Sequence, residues 1–586
     1  MKRQGLFVTA IVISLTMLLF GPVGSAPLAS GAIRRLTDLS TGVSSFEISA
    51  DGQRVVFLSY NGGATGLYSV PTVGGPVTQL AEAVPAGDAQ TTAWRRVFAI
   101  SPDSRSVLYF GRPDASATPT PDPGQPYIRY PGMGLYHVPI DGSTASVVVA
   151  DDPRIHTFSF SPDGQRAIFA TGTGTDNTPQ EQYRYELYSQ ALSGAPAQRL
   201  NIPLPEGQSV IFDRWSVLQT GYVVYGVGTA NYVFPYGPSM GLVDLYSVPI
   251  DGPYDASVKL TTCSRIAFPA AAFAIPGNGQ RIVFGQTDCD GNGALRSMTP
   301  TGESIVRLTP PTTTGVPGNL GLTQDNRYVL YTLTETNGSQ TTRDIYITPI
   351  GGPSSEIHLI QTGAALGVNP VLVGLAPNGD WIAYTAPTSS ASDVPTDLYV
   401  ASRTGPTNSA RLVTSAFPNS VWPVFSADSR YLIYPENGGM FQSLELTEGS
   451  VAISLGVEAI GYTTVKPHSA TPRLLIRPPD PGLLYTVLSA GPGNTLIQIS
   501  HGPVSYYGGA RFTPDGQDVV YIGQTDGQLY ITDADTAYDT ATPICDDPPD
   551  CGSPTAALTT TATSSATTTG TAATPLIHLY LPALEH

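Results

Sequence analysis

A few stretches of the sequence carry residue types whose spacing could do chemistry. Gly237-Pro238-Ser239-Met240-Gly241 has the G-x-S-x-G spacing of an activated serine nucleophile. Such a serine needs a sharp strand-to-helix turn that exposes its hydroxyl beside a histidine and an oxyanion hole. The residues that follow, LVDLYSVP, alternate like a strand instead, so Ser239 reads as an ordinary loop serine. Asp288-Cys289-Asp290-Gly291-Asn292-Gly293 supplies the alternating oxygens of the first half of an EF-hand loop. Position twelve is Thr299 rather than the bidentate glutamate, and strand-like runs flank the loop. Two readings stand: a polar hairpin, which is favoured, and a calcium site at Asp288, Asp290 and Asn292 without its strongest ligand. No other cofactor is expected. The histidines at 137, 156, 358, 468, 501, 578 and 586 make no metal-ligand cluster along the chain. His501, just after an eroded unit, is a candidate for a site assembled from several elements, and a polar loop residue is the favoured reading. Asn337-Gly338-Ser339 is a glycosylation sequon in an expected hairpin.

The elements that would position these residues are repeats. FSFSPDGQRAIF, from Phe158, returns as FEISADGQRVVF from Phe46, FAISPDSRSVLY from Phe98, FAIPGNGQRIVF from Phe273 and ARFTPDGQDVVY from Ala510. Weaker copies begin at Leu320, Val373 and Pro423. Starts fall about 47 to 60 residues apart except for two gaps of roughly double length. The gaps place two eroded units near Trp215 to Tyr225 and Tyr462 to Arg477. A second phrase of the type GLYSVPTVGG follows in every unit, eroded ones included, and gives ten units. Each unit predicts an alternating strand, a tight turn centred on Asp and Gly, a β-branched buried strand, a loop, a Leu-Tyr strand, another turn and a short fourth strand. Four antiparallel strands in about fifty residues describe a propeller blade.

The F-S-P-D-G-x-x-I-x-F phrase, followed by L-Y-x-x-x-x-x-G-G and L-T, resembles the TolB-like (WD40-like) propeller repeat over about residues 33 to 537. The resemblance implies an all-β propeller. Its members include a periplasmic partner-binding protein, the front domains of prolyl-oligopeptidase-like peptidases, and oligogalacturonate lyases, so it leaves the activity open. The last unit lacks a fourth strand, while IRRLTDL at residues 33–39 looks like the end of a blade with no beginning. The N-terminal strand is therefore expected to complete the last blade, in one ring of ten, with two smaller propellers as the alternative.

Lys2 and Arg3, an apolar run from Leu6 to Phe20 and a small-residue region predict a signal peptide over residues 1–32, hence a secreted, periplasmic or envelope protein. No membrane span is expected in the mature chain. A formal charge of −17, with lysine only at 2, 259 and 466, excludes nucleic-acid backbones and anionic membranes as partners. Residues 538–555 read as a cysteine-containing connector. Residues 556–574 are a Thr/Ala/Ser-rich linker, and 575–586 a short apolar tail.

In a propeller, the loop between second and third strands and the link to the next blade share one face. Units two to four lengthen that loop, and the insertions carry Tyr127, Tyr130, Tyr183, Tyr185, Tyr232, Phe234 and Tyr236. Neighbouring blades would gather these aromatics on one rim, the kind of surface that protein and sugar partners use; long loops burying their own aromatics are the competing reading. The same geometry puts Cys263 and Cys289 on one face and predicts disulfides Cys263–Cys289 and Cys545–Cys551. The sequence thus favours a non-catalytic scaffold for a protein or polysaccharide partner. Its rival is a lyase-like, polysaccharide-active enzyme with a site in the channel. Clustered His, Gln and Arg along the channel would favour the enzyme, and Ser, Thr and backbone the scaffold. Oligomeric state is not legible.

Overall fold

The computed structural model describes residues 33–538 except for 62–63, 85–96, 112–133, 153, 174–183, 230–241, 263–265, 268–272, 288–292, 312–314, 338–339, 389–395, 419–421, 437–438, 459–463, 470, 479–481, 492–494 and 506–508. Within these residues the chain folds into ten antiparallel sheets. Blade 1 runs from strand Val43–Ile48 to strand Thr78–Val84, and blades 2 to 9 begin at Phe98, Ile155, Gln208, Phe273, Val316, Val371, Val424 and Thr464. The eroded units are complete blades: Gln208–Val217 pairs Tyr222–Thr229 in blade 4, and Thr464–Pro467 pairs Arg473–Arg477 in blade 9. Blade 4 also carries an unforeseen short strand, Ile266–Ala267, paired with Leu242–Pro249.

The repeated turn explains why its phrase recurs. The hydroxyl at its first position bonds the aspartate two residues on, as Ser49 does to Asp51 and Thr513 to Asp515, both at 2.6 Å. That hydroxyl also accepts the backbone N–H five residues on, Arg54 at 3.0 Å and Asp518 at 3.0 Å. The aspartate accepts the N–H two residues on. The residue between takes positive φ, +70° at Gly164, which glycine adopts without strain. Asparagine and serine substitute in some copies, with φ of 59° at Asn326 and 62° at Ser104.

The Leu-Tyr phrase is equally concrete. Its tyrosine stands directly opposite an aromatic of the second strand, as in Phe57↔Tyr68, Tyr225↔Tyr246 and Tyr521↔Tyr530. The rings stack 5.5 Å apart in all three. Such pairs add to the burial of each ring about 0.5–1.5 kcal/mol.

Ring closure follows from where the core sits. Each buried apolar cluster is drawn from two neighbouring blades, and the clusters join every consecutive pair. One joins blade 10 to blade 1, with Val520, Ile522, Leu529 and Ile531 against Val43, Phe46, Val55 and Phe57. Two smaller rings would interrupt that sequence. Strand Ile33–Arg35 pairs with Leu529–Asp533 as the outer strand of blade 10, as its orphaned motif predicts. Gln528 locks this closure: its Oε1 accepts from Thr37 Oγ1 (2.8 Å) and Leu39 N (3.0 Å), and its Nε2 donates to Leu39 O (2.9 Å). The protein is a ten-bladed β-propeller.

Candidate functional site

The first strands of neighbouring blades approach one another, so they form the inner wall of the ring. Each stands at the end of its sheet and has one strand neighbour, which leaves an unpaired edge toward the axis. Two residues before the first residue of each turn, Ser49 and its counterparts, lies a position that faces the gap to the next inner strand. A Cβ added at Gly374 would come 3.2 Å from Phe425 of the next blade, which shows how narrow that gap is. Small or uncharged residues occupy it in seven blades: Ala99, Ser159, Ser216, Ala274, Gly321, Gly374 and Val424.

Blades 9, 10 and 1 differ, with Lys466, Arg511 and Glu47 in the equivalent place. A long side chain cannot stay within the gap, and both cations are solvent-exposed. Lys466 Nζ donates to Ala510 O of blade 10 at 3.3 Å, and the Arg511 guanidinium lies 5.7 Å from the Phe46 ring centre of blade 1. Among the described residues neither meets a carboxylate within ion-pair distance. Desolvation, and then the neighbouring charge of Arg511, hold the Lys466 ammonium below the usual lysine value. Lys259, by contrast, is 3.1 Å from Asp244. Sequence reasoning noted the rarity of lysine but missed this pairing. Aligning the repeats at their turn residue shows that only these two units carry a cation at that position.

The lengthened loops of blades 2 to 4 leave from Ser106–Gly111, Arg166–Thr173 and Tyr222–Thr229, on one face of three consecutive blades. Tyr127, Tyr130, Tyr183, Tyr232, Phe234 and Tyr236 lie outside the described residues, as does Ser239. The strand Leu242–Pro249 that follows Ser239 pairs with Tyr222–Thr229, so no helix succeeds the G-x-S-x-G stretch. Tyr185 corrects the expectation of an exposed rim: it is 8% exposed and packs with Leu187, Leu204 and Val210 between blades 3 and 4. It already lies inside strand Arg184–Ala191, where alternation turns it to the core. Asp288, Asp290, Asn292 and all four cysteines lie outside the described residues. Their hairpin is framed as expected, with Thr287 opposite Gly293. Among the described residues no group of three or more His, Cys, Asp or Glu could hold a metal ion.

His501 is built in. Its Nδ1 lies 2.9 Å from the Tyr521 hydroxyl and its ring 4.5 Å from Tyr530, whose hydroxyl donates to Asp526. Burial pushes the imidazole below its usual value, and Asp526 opposes that shift. A cleft at the seam between blades 10 and 1 gathers Arg34, Asp51, Thr72, Asp515 and Asp518. Asp51 and Asp515 belong to the turns and serve them.

No family model matches the chain, and no curated protein matches it. Solved structures match at low identity. A eukaryotic initiation factor is 12% identical over 72% of this chain and 90% of its own, with a TM-score of 0.40. A tricorn protease is 11% identical over 85% of this chain and 57% of its own, at 0.29. A GH74 enzyme of Niastella koreensis is 14% identical over 83% and 76%, at 0.30. No helix among the described residues is long and apolar enough to cross a membrane.

Proposed function

We propose that the protein is an exported, TolB-like propeller scaffold that binds a protein or polysaccharide partner through one face and carries no catalytic site. The observation that carries this reading is the contrast between the two faces. One presents stereotyped turns bonded to themselves and to the next blade, as Asp51 N is to Ser104 Oγ at 3.1 Å. The other sends long connections from three consecutive blades, where a rigid scaffold usually carries its recognition residues. The inner-wall layer supports a scaffold over a lyase, since seven of its ten positions are small or uncharged and His501 is held in a tyrosine cage.

The test is capture from envelope and culture-medium fractions on immobilised protein, beside a glycan array, with Tyr130, Tyr232 and Tyr236 replaced together by Ala. Loss of capture with unchanged thermal unfolding is expected. Unaltered capture moves the binding surface elsewhere, and release of unsaturated uronides from polyuronate by the wild-type protein replaces the scaffold with the enzyme.

A further inference from the structure

The inner wall is uneven, and the unevenness is electrostatic. The chain carries a formal charge of −17, yet neighbouring inner strands of blades 9 and 10 place two cations side by side. Like charges on adjacent strands repel, and although Glu47 follows Arg511 in the same layer, neither cation makes an ion pair among the described residues. Seven other blades pack at that position with nothing larger than valine, so the fold does not require a cation there. We propose that Lys466 and Arg511 form an anion subsite on the channel wall that takes an acidic side chain of an extended peptide from a protein partner. The assignment rests on the scaffold reading and narrows its ligand.

Two features select a peptide. The inner strands Thr464–Pro467 and Ala510–Phe512 each end a sheet, so their edge N–H and C=O groups, apart from Ala510 O, which Lys466 already engages, can match an extended backbone. The surrounding negative charge repels a polyanion, whereas a segment with one or two acidic groups gains the local attraction without the wider repulsion.

The experiment measures fluorescence anisotropy of a short acetylated, amidated peptide carrying two adjacent glutamates, its glutamine twin, and a labelled oligogalacturonate, each with the full chain. Expected is saturable binding of the glutamate peptide that weakens with salt, at least tenfold weaker binding of the glutamine twin, and a loss of at least tenfold in Lys466→Gln/Arg511→Gln. A charge-reduced variant at a remote surface site, Arg430→Gln, should bind as the wild type does. No binding of the glutamate peptide to wild type, or equal binding to the double variant, overturns the subsite. So does a charge-dependent preference for the oligogalacturonate. The rim variant distinguishes the two readings: partner capture that depends on the rim tyrosines but ignores Lys466 and Arg511 leaves the scaffold standing and removes the subsite.

Discussion

Replacing Asp518 by Asn should stabilise the protein at neutral pH and leave it unchanged in acid. Asp518 stands opposite Asp533 in the closing blade and faces the seam cleft, with Asp515 and Arg34 nearby. Desolvation, then Asp533 and Asp515, push its carboxyl up to about 6, and Arg34 opposes them. The folded state therefore holds this proton more tightly than the unfolded chain, where Asp titrates at 3.8. The group favours folding most below about pH 4, and that contribution is lost as pH rises toward about 6. A shift of that size corresponds to about 3 kcal/mol, which solvent at the open side of the cleft reduces to about 1–2 kcal/mol. Asn keeps the shape and removes the titration. Urea unfolding at pH 7.5 should show the variant more stable by about that amount, and at pH 4 the two proteins should coincide. Equal stability at pH 7.5, or a gain that grows in acid, refutes the assignment of strain to the Asp518 charge.

Further outcomes follow from the same structure. Gln528→Ala removes three hydrogen bonds at the closure, one of them buried, and should cost about 1–3 kcal/mol; hydrogen exchange should quicken first in Ile33–Arg35, and uniform quickening would contradict a local lock. Gly516→Ala puts a Cβ 2.6 Å from the His468 ring at a φ of +72° and should cost about 1–3 kcal/mol in chemical denaturation. Tyr185→Ala should lower stability by about 3–5 kcal/mol, as a core aromatic does and a rim aromatic does not. From the sequence, non-reducing peptide mapping should find Cys263–Cys289 and Cys545–Cys551, and a link from Cys263 to Cys545 or Cys551 would dismiss that pairing.

The architecture was legible because each repeat writes its own local chemistry. A hydroxyl, an aspartate and a residue tolerant of positive φ mark the first hairpin, and a Leu-Tyr pair marks the third strand. Blade 9 shows how far the signal stretches: His468 replaces the turn hydroxyl, and its backbone N–H still bonds Arg473 O at 3.0 Å. What escaped were relations between blades. Tyr185 borders a loop in sequence, and only the strand's extent decides that it faces Val210 of the next blade. Lys466 and Arg511 are 45 residues apart, and neither stretch alone reveals that they share a layer. That layer is set by how one sheet packs on the next, a property of the ring rather than of any repeat.

The closure has a consequence for how the molecule is made. The strand Ile33–Arg35 leaves the ribosome early, and its partner Leu529–Asp533 follows nearly five hundred residues later. At about 5–20 residues per second, that strand waits on the order of half a minute to two minutes before its edge can be covered. Its sequence suits a long wait. Two adjacent arginines in a three-residue strand give a growing chain little to aggregate through. Until they dock, nine blades can stack from the N-terminal side in turn, while the tenth must wait for the beginning of the chain to return.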